Sequence, residues 1–359
     1  MDLIPVTLFT GFLGSGKSTM LNEILKQQAF DKTAIVVNEF GEVGLDGILI
    51  EHSKDQIVEM TSGCLCCTIR GDIRQTLLDL HSRRARGDIP AFDRVIVEST
   101  GLADPAPVVH TLMSDPLLDR RYMLGGVVTT IDALNAMATL ESQEECEKQV
   151  AVADRLVITK TDLINRLDPE GSLGELQARL SALNPTAIIL DRHDPEFDYK
   201  RLFDTSLFDP DTKSVNVRSW LNAEASGDHH SQKTKQGHAH AHHHHHHDVT
   251  RHGTDIRSFT LTFDEPVTIE TFASSLEALS LTQGSSILRV KGIVNTLDRP
   301  GMPLVIHGVQ HVFHDPVWLD EWPDEDHQSK LVFITKGIER ETLNLFFKAW
   351  ISSSKGSWR

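Results

Sequence analysis

A glycine-rich stretch near the start of the chain ends in a lysine and a hydroxyl side chain. Residues 11–18 read GFLGSGKS and match the phosphate-binding pattern G-x-x-x-x-G-K-S/T at every required position. The glycines let backbone N–H groups converge on phosphate oxygens, and a following helix adds partial positive charge. Lys17 is predicted to reach the β- and γ-phosphates of a nucleotide, and Ser18 to place its hydroxyl on Mg²⁺. The alternative is a glycine-rich turn that matches the pattern by chance.

A second candidate for Mg²⁺ is the acid at the end of an apolar stretch, Asp93–Glu98, which is followed by Ser-Thr-Gly. This arrangement has the form of a Walker B strand. We therefore predict that Glu98 binds Mg²⁺ directly or through water, and that Gly101 senses the γ-phosphate. Most P-loop GTPases have Asp-x-x-Gly here, so the glutamate is a departure from the general pattern. The alternative role of Glu98 is a solvated cap at the end of a strand.

An acidic segment at residues 38–46, NEFGEVGLD, combines three acids with two glycines. Such a loop offers oxygen ligands to a cation. The segment follows a predicted strand, which places it at the same sheet edge as the glycine-rich loop. The alternative is an ordinary acidic loop that binds nothing.

The segment TKTD at residues 159–162 ends another predicted strand and resembles the Asn-Lys-x-Asp segment of GTPases. The Asp162 carboxylate would accept hydrogen bonds from N1–H and the exocyclic amine of guanine, while the Lys160 stem would pack on the base. Adenine lacks this pair of donors, so the segment predicts guanine specificity. Thr159 stands where the general pattern has Asn, which leaves its contribution to affinity open.

Three cysteines, Cys64, Cys66 and Cys67, lie within four positions. In an extended segment the first two point to one side and the third to the other, so a turn is needed to gather them around one ion. Thiolates favour Zn²⁺, Cu(I) and similar ions over Mg²⁺ or Ca²⁺. Three sulfurs, or two with a carboxylate from residues 39–46, would leave a tetrahedral zinc site open for exchange. The alternative is a set of buried thiols that act as small apolar groups.

Histidines are concentrated between residues 228 and 253, a polar stretch that holds 11 of the 19 in the chain. The stretch lacks the periodicity of a helix or a strand, so it predicts a flexible linker. Neutral imidazoles bind Zn²⁺, Ni²⁺ or Co²⁺, which favours metal capture or storage. Alternatives are a solvated linker without a specific role and a purification tag. The six consecutive histidines are His242, His243, His244, His245, His246 and His247.

The elements that must position these residues are read from the hydrophobic pattern. Predicted strands are Val6–Thr10, Thr33–Val37, Gln56–Met60, Arg94–Glu98, Gly126–Asp132, Arg155–Thr159 and Ala187–Leu190. Helical patterns between them include Ser18–Gln28, Asp72–Arg86, Glu144–Ala153 and Leu173–Leu183. This alternation predicts an α/β fold with a doubly wound, mostly parallel P-loop sheet covered on both faces.

Regular patterns return near residue 255 and predict a smaller α+β domain. Its predicted strands are Arg257–Phe263, Ile287–Asn295, Leu304–His307 and Lys330–Thr335, and its predicted helices are Thr268–Leu281 and Glu339–Trp350. We therefore divide the chain into a P-loop domain at residues 1–222, a histidine-rich flexible linker at 223–254 and a C-terminal domain at 255–359.

The charge balance of the 359-residue chain is acidic, with 35 basic and 51 acidic side chains and a formal charge of −16. Such a balance argues against binding to nucleic acid or to an anionic membrane. No apolar run approaches the roughly 18–20 residues of a membrane helix, and no signal peptide is predicted. Clustered cysteines that cannot build a disulfide framework indicate a reducing compartment, so we expect a cytoplasmic protein.

The motifs together carry a family resemblance. In the order GFLGSGKST, NEFGEVGLD, GCLCC, ESTGLADP and TKTD, they make the chain similar to the CobW-type P-loop GTPases, a metal-chaperone family, and nearest to its YjiA-like members. Residues 257–350 also resemble the CobW C-terminal domain, so the resemblance covers nearly the whole chain. It implies slow GTP hydrolysis, Mg²⁺ at the nucleotide and a transition metal at the Cys-x-Cys-Cys motif.

Site residues follow from the resemblance by position. The residues implied for phosphate and Mg²⁺ are Gly14, Ser15, Gly16, Lys17, Ser18 and Thr19, and Gly11 opens the same motif. The residues implied for the transition metal are Cys64, Cys66 and Cys67 with Glu39 or Glu42, and those for guanine are Lys160 and Asp162. Catalytic roles are assigned to Lys17, Glu98 and Glu42.

The combined pattern predicts a GTP-driven metallochaperone or metal insertase. Its cofactors would be GTP and Mg²⁺, and its metal would be Zn²⁺, with Co²⁺ or Ni²⁺ as alternatives. GTP would order residues 39–46 against the cysteine segment, and hydrolysis would release the ion to the apo-form of a client metalloprotein. Competing hypotheses are a phosphoryl transferase in cofactor synthesis and a non-catalytic zinc store. The sequence is compatible with a homo-oligomer and predicts neither nucleic-acid nor membrane partners.

Overall fold

A computed structural model describes residues 3–37, 57–59, 68–167, 172–203, 255–314 and 316–354. The predicted linker lies outside these residues, and so do the predicted domain boundaries at 222 and 254, which stay predictions. Several predicted metal ligands also lie outside the described residues: Glu39, Glu42, Cys64, Cys66, Cys67 and His242–His247.

Seven parallel strands form the first sheet. They are β1 (Ile4–Gly11), β2 (Thr33–Val37), β3 (Ile57–Glu59), β4 (Arg94–Glu98), β5 (Tyr122–Asp132), β6 (Arg155–Thr159) and β7 (Ile188–Asp191). Their spatial order is β3-β2-β4-β1-β5-β6-β7. The apolar strand sequences fit burial on both faces, and the predicted α/β P-loop sheet is confirmed.

Helices cover both faces of this sheet. They are α1 (Lys17–Leu25), α2 (Thr68–Arg86), α3 (Ala106–Ser114), α4 (Ala136–Ser142), α5 (Glu144–Val152), α6 (Thr161–Leu167) and α7 (Ser172–Leu183). Successive strand residues point to opposite faces. In β4, Val95 and Val97 pack with α2 and α3, whereas Ile96 packs with α1 on the other face. The sheet is therefore doubly wound.

The carboxyl ends of the parallel strands meet at one edge, where α/β proteins bind ligands. β1 runs into the glycine-rich loop at this edge, and β4, β5 and β6 end there at Glu98, Asp132 and Thr159. Three backbone pairings cross the sheet in register at the same level. Glu59 pairs with Val37, Val37 with Glu98, and Glu98 with Phe9. The chain thus leaves β2 and β3 from the edge that holds the glycine-rich loop.

A second, antiparallel sheet forms the C-terminal part. Its strands are β8 (Ile256–Phe263), β9 (Ile287–Val294), β10 (Leu304–Val309), β11 (Val312–Phe313), β12 (Val317–Trp318) and β13 (Ser329–Lys336). Their order is β11-β10-β9-β13-β8, and β12 pairs with β10. Two helices, α8 (Ile269–Gln283) and α9 (Arg340–Ser354), cover one face through side chains such as Phe272 and Phe347. The predicted α+β character of this part is confirmed.

The other face of the second sheet packs on the P-loop part of the chain. Ile256, Leu288 and Ile334 share an apolar cluster with residues of α5 and α7. Beside this cluster, the fully buried carboxylate of Asp154 pairs with Arg289. The two parts of the chain are therefore joined by apolar packing and by a buried ion pair. Among the helices in the described ranges, none has the length and apolar character needed to cross a bilayer.

Candidate functional site

The glycine-rich loop between β1 and α1 depends on backbone conformations that favour glycine. Gly11, Gly14 and Gly16 have φ values of 139°, 76° and 91°. A Cβ atom at Gly11 would lie 2.3 Å from Thr130 Oγ1, so this position also lacks space for a side chain. The loop closes on itself where the N–H of Ser15 donates to the carbonyl of Phe12 at 3.1 Å. The glycine spacing read from the sequence thus corresponds to a tight turn at the start of a helix.

Lys17 lies over this loop with only 9% of its surface exposed. Its Nζ donates to the carbonyls of Gly11 and Phe12 at 2.7 and 3.1 Å. Burial lowers the pKa of Lys17 from its ordinary value, and the nearby Glu98 carboxylate opposes that shift. A phosphate oxygen is a stronger acceptor for an ammonium group than a neutral carbonyl. The arrangement therefore fits a lysine that exchanges carbonyl contacts for phosphate contacts.

Two oxygen-bearing side chains meet at the first turn of α1. The Ser18 hydroxyl donates to Oε1 of Glu98 at 3.3 Å, and both side chains are partly buried. A hydroxyl and a carboxylate are donors that suit Mg²⁺, which binds few protein oxygens and retains several waters. The pair fits the predicted Mg²⁺ site, with Ser18 and Glu98 as the residues that would hold the ion. The adjacent Thr19 is exposed.

The segment after β4 lies directly against the glycine-rich loop. A Cβ atom at Gly101 would come within 2.7 Å of the backbone nitrogen of Leu13, so only glycine permits this approach. The carbonyls of Gly101 and Ala103 each accept a hydrogen bond of 3.1 Å from Nε2 of Gln149. Gln149 is fully buried on α5, and the sequence pattern did not single it out. Gln149 of α5 therefore supports the segment that contains Gly101, the predicted γ-phosphate sensor.

Lys160 is held by an acid that sequence reasoning missed. Its backbone has φ of 61°, which is rare for a side-chain-bearing residue, and its Nζ lies 2.8 Å from Oδ2 of Asp132. Asp132 also accepts a bond of 2.8 Å from Asn135 Nδ2. Burial raises the pKa of Asp132, but the bonds from Lys160 and Asn135 outweigh it and leave the pKa below its ordinary value. An acid at a strand end was the signal used for Glu98, and it applies equally to Asp132.

The Asp162 carboxylate contacts a histidine from the loop after β7. Its Oδ1 lies 3.2 Å from His193 Nε2, and 43% of the Asp162 side chain is exposed. The preceding Thr161 donates to Asp191 Oδ1 at 2.6 Å and lies 3.0 Å from His193 Nδ1. Asp162 is thus accessible and already oriented by a neighbour. No sequence motif indicated His193.

Thr159 connects the TKTD segment, residues 159–162, to the glycine-rich loop. Its hydroxyl donates to the carbonyl of Ser15 at 2.9 Å, with the Ile131 carbonyl at 3.2 Å. The Ser15 hydroxyl in turn lies 2.6 Å from Thr130 Oγ1. The threonine that departs from the general Asn therefore supports the loop that would surround the phosphates.

The nucleotide-site candidates lie together at the carboxyl edge, whereas the predicted metal ligands fall outside the described ranges. Within those ranges, no group of three or more His, Cys, Asp or Glu side chains is arranged to hold a metal ion. Cys146 is buried on α5, and burial raises the pKa of its thiol to about 12. A thiol that resists ionisation is a poor metal ligand.

Comparison with known proteins extends over both parts of the chain. Residues 5–191 match the family described as the CobW/HypB/UreG nucleotide-binding domain, and residues 256–350 match the cobalamin synthesis protein cobW C-terminal domain. The zinc chaperone YjiA of Escherichia coli is 33% identical over 97% of this chain and 98% of its own length. The zinc chaperone CobW of Pseudomonas aeruginosa is 30% identical over 95% of this chain and 89% of its own.

Two further matches also cover most of the chain. The zinc-regulated GTPase metalloprotein activator 1 of Schizosaccharomyces pombe is 28% identical over 95% of this chain and 84% of its own length. Among solved structures, a Zn(II)-bound YjiA GTPase from Escherichia coli superposes with a TM-score of 0.68 and 28% identity, covering 98% of this chain and 99% of that one. The similarity therefore includes the arrangement of both sheets.

Proposed function

The chain belongs to the CobW family of P-loop GTPases, with a CobW C-terminal domain, and on this premise we propose that it is a GTP-hydrolysing zinc chaperone. In this proposal GTP and Mg²⁺ occupy the loop site, and Cys64, Cys66 and Cys67 hold the cargo ion. Hydrolysis of GTP to GDP and phosphate releases the ion to the apo-form of a client metalloprotein in the cytoplasm.

The nucleotide part of the proposal is supported by the grouping of side chains at one sheet edge. Lys17 lies over the loop, Ser18 faces Glu98, and Asp162 presents an accessible carboxylate at the end of β6. A carboxylate accepts the N1–H and amine donors of guanine, which adenine does not offer. Mg²⁺ bound by Ser18 and Glu98 would supply positive charge to the phosphate oxygens. GTP is therefore the nucleotide that the site suits best.

The proposed coupling between the nucleotide site and the metal site is supported by the row of backbone pairings across the first sheet. Glu59, Val37, Glu98 and Phe9 lie side by side on β3, β2, β4 and β1. Three strand spacings of about 4.8 Å separate the outer pair, or about 14 Å in all. Cys64 follows Glu59 by five residues along the chain. We propose that the cysteine segment, which follows β3, turns back toward the nucleotide site along this edge of the sheet.

The acidic segment follows β2, the strand that lies between β3 and β4 in the sheet. Glu39 follows Val37 by two residues, and Val37 lies between Glu98 and Glu59 in the sheet. We propose that Glu39 or Glu42 completes the sulfur site and that Glu42 also takes part in catalysis. A segment that contacts both the γ-phosphate and the metal would change one site when the other changes. Slow intrinsic hydrolysis would keep the ion bound until a client arrives.

Zinc is the preferred cargo in this proposal because thiolates favour it and because the named relatives are zinc chaperones. Thiolate and imidazole ligands also accept Co²⁺ and Ni²⁺, so competition between ions belongs in the test. The histidine run at residues 242–247 would raise the local concentration of the ion without choosing it.

The test is a competitive Zn²⁺ titration of the full chain in its apo, GDP-bound and GTP-analogue-bound forms. We expect the bound nucleotide to change the Zn²⁺ affinity of one metal site. The Cys66→Ser plus Cys67→Ser variant should weaken Zn²⁺ binding at that site by roughly tenfold or more, which corresponds to a loss of about 1.4 kcal/mol or more. Cys146→Ser is the matched control, because its thiol is buried and its pKa is raised to about 12. Co²⁺ and Ni²⁺ are titrated in parallel.

Each competing hypothesis gives a different result. If the double cysteine variant keeps the wild-type affinity in the GTP-analogue form, the cargo site is not at these cysteines. A zinc store would lose most of its capacity on deletion of residues 228–248 and show no effect of nucleotide. A phosphoryl transferase would release a phosphorylated small molecule during incubation with GTP.

A further inference from the structure

We propose that His193 is a positioning residue for guanine: its ring holds the Asp162 carboxylate in the orientation that reads the 2-amino group of the base. The inference rests on the nucleotide site proposed above and extends it to a residue outside the four-residue motif. His193 would thereby set the preference for guanine over purines that lack the 2-amino group.

The first observation is the contact between the two side chains. His193 Nε2 lies 3.2 Å from Asp162 Oδ1, and the two side chains are 40% and 43% exposed. Asp162 lies in the first turn of α6, which follows β6, whereas His193 follows β7, so the contact joins two neighbouring strand ends. A carboxylate oxygen has two lone pairs and can accept from His193 and from a base at the same time. The contact is therefore compatible with bound guanine.

The second observation is the hydrogen-bond pattern around the ring. The Thr161 hydroxyl has one proton, and it donates to Asp191 Oδ1 at 2.6 Å. The same hydroxyl can then only accept from His193 Nδ1, which lies 3.0 Å away. On the other side of the ring, Nε2 lies 3.2 Å from the Asp162 carboxylate. The ring is therefore held at both of its nitrogens, between Thr161 and Asp162.

Acidic side chains surround the ring of His193. Asp162 contacts one edge, and Asp191 accepts the backbone N–H of His193 at 2.8 Å. Glu23 on α1 interacts electrostatically with the same histidine. Three acids therefore face His193 from three different elements.

The third observation is that the backbone carrying His193 is anchored on both sides. The N–H of Arg192 donates to the Ile158 carbonyl at 2.8 Å, which extends the pairing of β6 and β7. The Arg192 guanidinium donates to Glu23 Oε2 at 2.7 Å and lies 4.9 Å from the centre of the Tyr199 ring. Tyr199 also donates to Glu23. The ring of His193 is thus presented to Asp162 by a fixed loop.

These observations have a consequence for base selection. Guanine needs both oxygens of Asp162, one for N1–H and one for the 2-amino group. Inosine nucleotides keep N1–H and lack the amine, so they need only one oxygen. A carboxylate that rotates freely can still accept a hydrogen bond from one donor, but it is less often oriented to accept from two donors at once. Loss of His193 should therefore weaken GTP binding more than ITP binding.

The experiment measures the dissociation constants of GTP, ITP and ATP for the full chain and three variants. His193→Ala should weaken GTP binding about tenfold and ITP binding about twofold, since a hydrogen bond to a charged group contributes roughly this much. His193→Gln should restore part of the GTP preference, because its amide N–H can reach the same carboxylate. Glu196→Ala, an exposed acid three residues along the same loop, should match the wild type.

A double-variant cycle separates orientation of the carboxylate from a general effect on the loop. Asp162→Ala should lower the ratio of GTP to ITP affinity, and adding His193→Ala to it should change that ratio no further. Equal losses of GTP and ITP binding in His193→Ala would overturn the inference while leaving the nucleotide site intact. A chain that binds neither GTP nor ITP more tightly than ATP would instead contradict the proposed function itself.

Discussion

The Thr159 hydroxyl is the point at which two segments of the nucleotide site meet. It donates to the Ser15 carbonyl at 2.9 Å, and Thr159 is 5% exposed. A buried carbonyl that loses its donor keeps its desolvation cost without the compensating bond. At the scale of single residues, the shape of the glycine-rich loop thus depends on a side chain at the end of β6.

Thr159→Val tests this dependence, because valine keeps the volume and removes the hydroxyl. We expect the free energy of unfolding to fall by about 1–3 kcal/mol, the usual cost of leaving a buried polar group unpaired. GTP and GDP affinity should both fall several-fold, because the loop backbone loses one of its supports. Denaturant unfolding and nucleotide titration measure the two effects.

Thr10→Val is the matched control for this prediction. The Thr10 hydroxyl is buried on β1, and it has no hydrogen-bond partner within the part of the chain that the structure describes. Its removal should leave both stability and affinity nearly unchanged. If the two valine variants lose equal stability, the bond from Thr159 contributes nothing beyond threonine packing.

Sequence motifs predicted the residues whose types are fixed by chemistry, but not their neighbours. Lys17, Ser18 and Asp162 stand at fixed spacings within short segments, so a single sequence identifies them as candidates. Asp132 and His193 reach the site because β5 and β7 are parallel neighbours of β6. That proximity is a property of strand order, which no local pattern encodes.

At the scale of elements, α5 links the segment after β4 to the second sheet. Its Gln149 donates to the carbonyls of Gly101 and Ala103, both at 3.1 Å. The helix ends just before Asp154, which pairs with Arg289 of β9. One rigid element therefore contacts the predicted γ-phosphate sensor and, through the residues at its end, the C-terminal sheet.

Gln149→Met should loosen this connection. Methionine nearly conserves the volume and cannot donate, so the buried carbonyl of Gly101 and the partly buried carbonyl of Ala103 lose their donor. We expect faster amide hydrogen exchange in residues 99–104 and slower GTP hydrolysis, since the segment near Gly101 is held less firmly. Hydrogen-exchange mass spectrometry with and without a GTP analogue measures the first effect, and phosphate release measures the second.

Glu145→Met on the same helix controls for the added methionine. Glu145 is partly exposed, and its side chain is not among those that contact the segment after β4. Protection of residues 99–104 should match the wild type in this variant. Unchanged protection in Gln149→Met would show that packing alone holds the segment.

Element prediction succeeded where burial produces a continuous apolar run. β2, β4 and β6 begin and end at the predicted residues, because both faces of these strands are covered. Three helices, α3, α4 and α6, were not singled out. They have seven to nine residues, which is about two turns, so the helical period is barely sampled.

At the scale of the whole molecule, the two sheets are joined across a buried charge cluster. Asp154 is 1% exposed and receives Arg289 Nη2, Lys291 Nζ at 3.0 Å and the Val127 N–H at 3.0 Å. Burial raises the pKa of Asp154, but the two cations outweigh it and hold the pKa well below its usual range. Burial also lowers the pKa of Lys291 to about 8. The acid is therefore the counter-charge on which both cations depend.

Asp154→Asn should separate the stabilities of the two parts of the chain. The variant keeps the shape of the side chain and leaves Arg289 and Lys291 buried without that counter-charge. Breaking a buried pair in this way costs about 3–5 kcal/mol. Trp318, Trp322 and Trp350 lie in the C-terminal part, so in a Trp220→Phe background tryptophan fluorescence follows that part during urea unfolding. Release of a fluorescent GDP analogue follows the P-loop part.

Two further variants show whether the loss comes from the unbalanced charge. Lys291→Met in the Asp154→Asn background should recover part of the stability, because one uncompensated cation is gone. Glu144→Gln removes a partly exposed acid that pairs with Lys336 across the same contact between the two parts, and it should cost at most about 1 kcal/mol. We expect the unfolding midpoints reported by the two probes to differ in Asp154→Asn and to coincide in Glu144→Gln. Equal losses in Asp154→Asn and Glu144→Gln would mean that apolar packing around Leu288 and Ile334 joins the two parts without help from the buried charges.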